Sequence, residues 1–345
     1  MSDTQFNQLS PMNNNKIKIS TGINGFGRFG MHLLSYWIQK FNSANFSIDY
    51  INDESLSLEK VEKIITCDPY LSNLKSSIIF TDNLMSISLT NGRQHHVIYS
   101  QCPQNKISWV GKPTIFFECT GKNTNANKAR VFLQGKTTCV IISASSIHAD
   151  KTLIYGFNHQ TYTQNDTVIS YGSCTVNAYV PLANFLHLRF GIIDNDVNII
   201  HNVPVHKFEQ SNTLERRDCT LQWSASKLLP FITKENFKVT YTLIPYHGIS
   251  LIDFRFHLKN PPSLDTIKDK LTHAMKEKEL KNLYKFEEND TGPEPHKFTP
   301  YSAVIIKNSL EYFGQNLYFQ AYFDNENSAT RYFDLVSFLS EKIEK

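Results

Sequence analysis

The stretch Thr21–Gly30, TGINGFGRFG, decides how the chain is read. It holds Gly22, Gly25, Gly27 and Gly30, four of only 14 glycines in 345 residues. That total is about 4%, below the roughly 7% of ordinary chains, so glycine is concentrated where a bare backbone is needed. Gly25-Phe26-Gly27-Arg28-Phe29-Gly30 has the spacing GxGxxG. The pattern carries meaning only between a strand and a helix. KIKISTGI, with Ile17 and Ile19 two apart, predicts the strand; MHLLSYWIQKF, with Leu33, Tyr36, Trp37 and Phe41 on one face, predicts the helix. In that setting the first glycine permits a tight turn, the second lets backbone approach a pyrophosphate, and the third lets helix and strand pack closely. The helix N-terminus adds free N–H groups and positive potential. Gly22 has no role in this scheme.

Outward from the loop, SIDYIND (47–53) predicts a second strand ending in acid. Asp53 stands 23 residues after Gly30 and can hydrogen-bond both hydroxyls of a ribose. With Glu54 beside it, it repels a 2′-phosphate, which favours NAD over NADP. TIFFECTG (114–121) and TCVIISASS (138–146) are apolar runs bounded by turn residues, as in strands buried within a parallel sheet. Strand alternating with helix predicts a doubly wound, Rossmann-type α/β domain over residues 16–172.

Composition narrows the function classes. Lys and Arg number 35 against 32 Asp and Glu, a net charge of +3, which gives no field for nucleic acid. No apolar run approaches the roughly 18–20 residues needed to span a bilayer, so no membrane partner is expected. Residues 1–15 are polar and read as a disordered extension, neither a secretory signal nor an Arg-rich transit peptide. The six cysteines form no CxxC pair, which predicts a reducing cytoplasm. No His/Cys cluster has zinc spacing, so no metal is expected, and His95-His96 reads as a loop pair.

The second half reads differently. VTYTLIPYHGISLIDFRFHL (239–258) and AVIIKNSLEYFGQNLYFQAYFD (303–324) are β-rich, and LDTIKDKLTHAMKEKE (264–279) is an amphipathic helix. An α+β catalytic domain with a mixed or antiparallel sheet is predicted over 173–327. The final helix, 328–345, turns Tyr332, Leu335, Val336 and Leu339 to one face and is expected to pack back on the first domain.

Cys174, in SYGSCTVNAYVPLA, precedes a long apolar helical pattern. A helix N-terminus stabilises a thiolate, the competent nucleophile; a cysteine there is also commonly structural. The motifs GINGFGRFG, INDE, ECTG, VIISAS, GFNH, SCTVNAYVPLA and FDNE occur in the order seen in glyceraldehyde-3-phosphate dehydrogenases. The chain resembles a divergent member of that family from about residue 16 to 342. The resemblance maps the family's catalytic cysteine onto Cys174 and its histidine, 27 residues on, onto His201. It implies a two-step glycolytic reaction: NAD-dependent oxidation of an aldehyde, glyceraldehyde 3-phosphate or a relative, through a thiohemiacetal and thioester on Cys174. Inorganic phosphate then releases an acyl phosphate. His201 acts as base and stabilises the thiolate. Cofactor contacts fall on Asn24, Gly25, Gly27, Arg28, Phe29, Asp53, Thr120, Gly121 and Ser143, with Asn325 holding the nicotinamide carboxamide. Ser173, Thr175 and Thr233 fall on phosphate-binding positions.

The family pattern also breaks. Pro204 replaces a threonine, Leu243 an arginine, and Lys234 a glycine; Val176 and Ala178 replace a threonine and a second cysteine. Gln101 or Cys102 stands where an arginine often lies near the adenine. His206, Lys207, Arg216, Arg217, Lys227, Lys234 and His247 surround the site by the same matching and read either as compensation or as solvated surface. Two other readings therefore stay open: a paralogue with a changed aldehyde or hydrolytic release, and a non-catalytic NAD-binding or regulatory protein. The resemblance further implies a homo-oligomer, a tetramer in the family.

Overall fold

The computed structural model describes residues 18–68, 71, 74–203, 214–245, 248–325 and 328–343. The expected extension 1–15, Ile17, Pro204, His206, Lys207 and His247 lie outside the described residues. The fold is mixed α/β, built on two sheets.

The first sheet contains β1 (Ile19–Asn24), β2 (Phe46–Asn52), β3 (Ile78–Thr81), β4 (Leu84–Ser88), β5 (Gln94–Ser100), β6 (Ile115–Glu118), β7 (Cys139–Ile142), β8 (Lys151–Thr152) and β9 (Val168–Ser170). Their order is β3-β4-β5-β2-β1-β6-β7-β9-β8. The run from β5 to β8 is parallel, whereas at one edge β3 pairs antiparallel with β4 and β4 with β5. β1 lies between β2 and β6, where the winding reverses, so the loops after Asn24 and Glu118 part and open a crevice.

α1 (Arg28–Gln39) follows β1 directly, with Gly27 as its N-cap. Leu33 and Trp37 are fully buried, whereas Phe41 lies past the helix end in a single 3-10 turn and meets Trp37 edge-on. His95 and His96 lie within strand β5 rather than in a loop. Alternation along that strand turns His95 inward onto the Ile48 carbonyl and leaves His96 on the surface, bonded to Ser86. Gly22 gains a reason: a Cβ there would stand 2.5 Å from the Trp109 indole. Trp109 stacks on Tyr50 and donates to the Ser100 hydroxyl.

The second sheet takes β10 (Ile192–Asn202), β11 (Glu215–Arg216), β12 (Phe237–Ile244), β13 (Ile249–Leu258), β14 (Tyr284–Glu287), β15 (Ala303–Ile306), β16 (Glu311–Phe313) and β17 (Asn316–Asp324). Its order is β11-β12-β10-β13-β17-β15-β14, with β16 on β17. The remaining helices are α2 (Leu58–Cys67), α3 (Ala126–Ala129), α4 (Cys174–Phe190), α5 (Leu221–Leu228), α6 (Leu264–Glu277) and α7 (Ser328–Ile343). Buried faces of α4, α5 and α6 share one core with this sheet.

α4 carries Pro181 in its interior. Proline has no N–H, so the carbonyl four residues back loses its helical donor. The Tyr284 hydroxyl supplies one, donating to the Asn177 and Ala178 carbonyls at 3.2 and 2.9 Å. α7 buries Tyr332, Leu335, Val336 and Leu339 in the core of the first sheet. From the same helix Arg331 donates to the carbonyls of Asn282 and Pro300 beside the second sheet, tying the two together.

Candidate active site

The crevice holds two cavities. The first, about 280 Å³, is lined by Asn24, Gly25, Gly27, Asp53, Thr120 and Gln104 among others. The glycine spacing has a separate cause at each position. Gly25 has φ +94°, and a Cβ would stand 2.5 Å from the Thr120 nitrogen. At Gly30 a Cβ would meet the Gly25 carbonyl at 2.8 Å, whereas at Gly27 it would meet nothing within 4 Å. Gly27 thus faces open space at an α1 N-terminus that no side chain caps. Those are the properties that admit a phosphate.

A buried polar network fixes this end. Glu118, 1% exposed, accepts from the Asn24 and Asn123 amides and from the Thr120 N–H and hydroxyl. Asn24 in turn accepts from Asn52, whose own amide oxygen accepts from Ser100 and Cys102. Asp53 lies at the cavity edge, but its carboxylate already accepts from the N–H groups of Phe26, Ser55 and Leu56. That takes three of about four acceptor sites, leaving acceptor capacity for a ribose. Arg28 opens α1, and Gly121 follows Thr120 with φ +69°; neither lines the cavity among the described residues, nor do Gln101 and Cys102.

The second cavity, about 540 Å³, lies farther along. Phe29, Ser143, Ala144, Ser145, Ile147, His148 and Tyr171 reach it from the first sheet, and Ser173, Cys174, Thr220, Trp223 and Ser328 from the other side. Phe29 is held by a tilted contact to Tyr171 and an edge contact to Tyr332. The Ser145 hydroxyl is buried here with no hydrogen-bond partner among the described residues, an orphan that a ligand would satisfy.

Cys174 is the first residue of α4, capped by the Ser173 hydroxyl, which accepts from the Val176 N–H. Its Sγ stands 3.5 Å from Nε2 of His201. His201 sits near the C-terminal end of β10, with Leu243 directly across on β12. Its ring lies 5.5 Å from that of Tyr241 and 6.0 Å from that of Phe323. Burial, with Cys174 and Cys219 nearby, pushes the Tyr241 phenol well up, so it stays neutral. Next along β10, the Asn202 backbone N–H donates to the Ser250 hydroxyl, the hydroxyl donates to the Asn325 side-chain Oδ1, and the Asn325 side-chain Nδ2 donates to the Asn202 backbone carbonyl at 2.8 Å.

The expected phosphate ligands divide. Ser173 lines the cavity. Thr175 is buried, and its hydroxyl meets Ser173 and the Cys219 thiol; burial raises the Cys219 pKa. Thr233 is not at the site. It lies with Lys234 in an exposed turn bonded to Asn236. Asn236 accepts from the Asn195 N–H, six residues before His201 on β10, or roughly 20 Å at strand rise. The threonine brought to Cys174 is instead Thr220, N-cap of α5. Trp223, Tyr241 and His148 also escaped the sequence reading. The signal for Thr220 was local: DCT ahead of Leu221, Ser224, Ala225 and Leu228 is a helix start followed by a helical stripe. Of the scattered cations, Lys227 and Arg216 are exposed and Arg217 pairs with Glu215; none lines either cavity among the described residues.

No family model matches the chain. Individual proteins do. Glyceraldehyde-3-phosphate dehydrogenase 3.1 of Caenorhabditis briggsae is 27% identical over 343 residues, covering 94% of this chain and 99% of that protein. Glyceraldehyde-3-phosphate dehydrogenase 4 of Caenorhabditis elegans is 25% identical with the same coverage. Glyceraldehyde-3-phosphate dehydrogenase B of Aspergillus oryzae is 26% identical, covering 92% of this chain and 97% of its own. With two sheets arranged around a glycine-loop crevice, the chain is similar along nearly its whole length to proteins named glyceraldehyde-3-phosphate dehydrogenase, at about a quarter identity.

Proposed function

We propose that the protein is an NAD-dependent aldehyde dehydrogenase that works through Cys174. The Cys174–His201 approach of 3.5 Å at the mouth of α4 carries this reading. The residues fit the cofactor: Gly27 leaves space at a bare helix N-terminus, Asp53 keeps acceptor capacity for a ribose, and the Ser145 hydroxyl lacks a partner among the described residues. Asn24, Gly25, Gly27, Arg28, Phe29, Thr120, Gly121, Ser143 and Asn325 would hold it by the resemblance. When bound, NAD supplies the hydride acceptor.

Cys174 Sγ attacks the aldehyde carbon, and a thiohemiacetal forms on sulfur. His201 Nε2 takes its hydroxyl proton as the carbon is oxidised, leaving a thioester. The N-termini of α4 and α5 both open on this cavity through Ser173, Cys174 and Thr220. Two positive helix ends and two hydroxyls favour an anion there, so inorganic phosphate is the proposed acceptor of the acyl group. Hydrolysis is the second reading, supported by Thr175, whose hydroxyl is turned inward to Cys219.

The test mixes protein, NAD, aldehyde and phosphate and follows NADH absorbance. The expected outcome is turnover that Cys174→Ser lowers about 10³-fold or more with an unchanged melting temperature. Equal rates for the two proteins would sink the reading. Turnover independent of phosphate would favour hydrolysis.

A further inference from the structure

An ion pair stands at the glycine-loop cavity. Glu54 and Lys122 both line it, in company with Asp53, and Lys122 Nζ donates to Glu54 Oε2 at 3.0 Å. Glu54 follows β2 and Lys122 follows β6, and those strands flank β1 on opposite sides. The pair therefore joins the two lips of the crevice. Each partner stands on a pinned turn. The Asp53 carboxylate accepts from the Ser55 and Leu56 N–H groups and so fixes the backbone that carries Glu54. The Lys122 N–H donates to the Thr120 hydroxyl, which is itself bonded to the buried Glu118.

The side chains of the pair are 68% and 51% exposed, and an ion pair so open to water adds little to the fold. Its effect falls on what enters the cavity. An acid at the end of the second strand takes ribose hydroxyls, which puts the adenosine ribose beside Asp53. Lys122 is close by: Glu54 first, and Asp53 more weakly, hold its ammonium pKa above the ordinary value. A dinucleotide with a 2′-phosphate would bring its anion to this corner. An ammonium is a good point-charge partner for phosphate. Glu54 opposes that anion twice, by like charge and by occupying the ammonium.

We propose that Lys122 is a 2′-phosphate ligand kept out of use by Glu54, so that this ion pair, added to Asp53, decides between NAD and NADP. Glu54 and Lys122 are then specificity-determining residues. The inference rests on the cavity being the dinucleotide site, as proposed above.

The test needs neither aldehyde nor turnover. Full-length protein is titrated by calorimetry with NAD and with NADP, and the ratio of the two dissociation constants is read. The parent is expected to favour NAD by at least about tenfold. Glu54→Gln is expected to move the ratio toward NADP by about tenfold, the worth of one hydrogen bond to a charged group. Lys122→Met added to Glu54→Gln is expected to take back most of that movement, since only the relief of like charge remains. Both positions are exposed, and unchanged melting temperatures check that the variants fold. An equal movement in the double variant overturns the inference, as does a fixed ratio in Glu54→Gln or a parent that binds NADP as tightly as NAD. In each of those outcomes NAD still binds, so the dehydrogenase reading stands. A parent that binds neither dinucleotide overturns both.

Discussion

The two ends of the crevice are built from different materials. At the glycine loop the walls are backbone: Gly25 packs on the Thr120 peptide, Gly30 on the Gly25 carbonyl, and Asp53 holds three main-chain N–H groups. At Cys174 the walls are side chains from distant segments, Phe29, Ile147, Tyr171, Thr220 and Trp223. A backbone wall has no side chain to exchange, so substitution there breaks it. A side-chain wall can be rewritten one residue at a time while the strands and helices beneath it stay in place. Within a single chain, the glycine-loop end is therefore the less tolerant of substitution and the Cys174 end the more tolerant.

The sharpest way to break this contrast is Gly25→Ala. The positive φ and a Cβ 2.5 Å from backbone together cost about 2–5 kcal/mol, measurable as a lower urea midpoint. A variant as stable as the parent would show that the loop is not rigid backbone. A second effect arises from His32, buried on α1 with Nε2 lacking a partner among the described residues. Burial lowers its pKa from 6.5 to about 4, opposed by Asp324. The unfolded chain takes up the proton first, so acid favours unfolding as pH falls through 6.5, and the loss is complete below about 4. It amounts to about 3 kcal/mol, and His32→Leu should flatten the pH profile of stability between those limits.

The Cys174 end has its own weak point. Tyr284→Phe strips the donor from the carbonyls that Pro181 leaves open, a cost of about 1–3 kcal/mol. Iodoacetamide labelling of Cys174 should change in rate as the first turns of α4 loosen, while cofactor affinity holds. The smallest effect on the fold is Gly27→Ala. With nothing within 4 Å of the new methyl, stability should stay within about 0.5 kcal/mol, yet NAD affinity by calorimetry should fall about tenfold. A drop in stability without a drop in affinity would reverse the assignment of that open space.

The same contrast explains what could be read from the sequence. β1, the glycine loop and α1 are contiguous, and their signals of period, turn and helix start are local. The spacing from Cys174 to His201 spans one helix and one strand, both strongly patterned, and the structure brings the two side chains together. Thr233 failed because its selection depended on matching across residues 203–243, where segments were altered. Thr220 carried a better local signal, a helix start with a stripe behind it. Trp223 and Tyr241 had no signal of their own: their place beside Cys174 arises from α5 and β12 meeting α4 and β10, and no short window contains that. Gly22 is similar, since its reason is Trp109, far along the chain.

The bonds among Asn202, Ser250 and Asn325 form a closed linkage joining the ends of three strands. A closed linkage shares any displacement among its members. The residue after His201 and the side chain expected to orient the cofactor are therefore spaced by one part, not by two separate fits. Through this linkage the residue after His201 is tied to the segment that leads into α7.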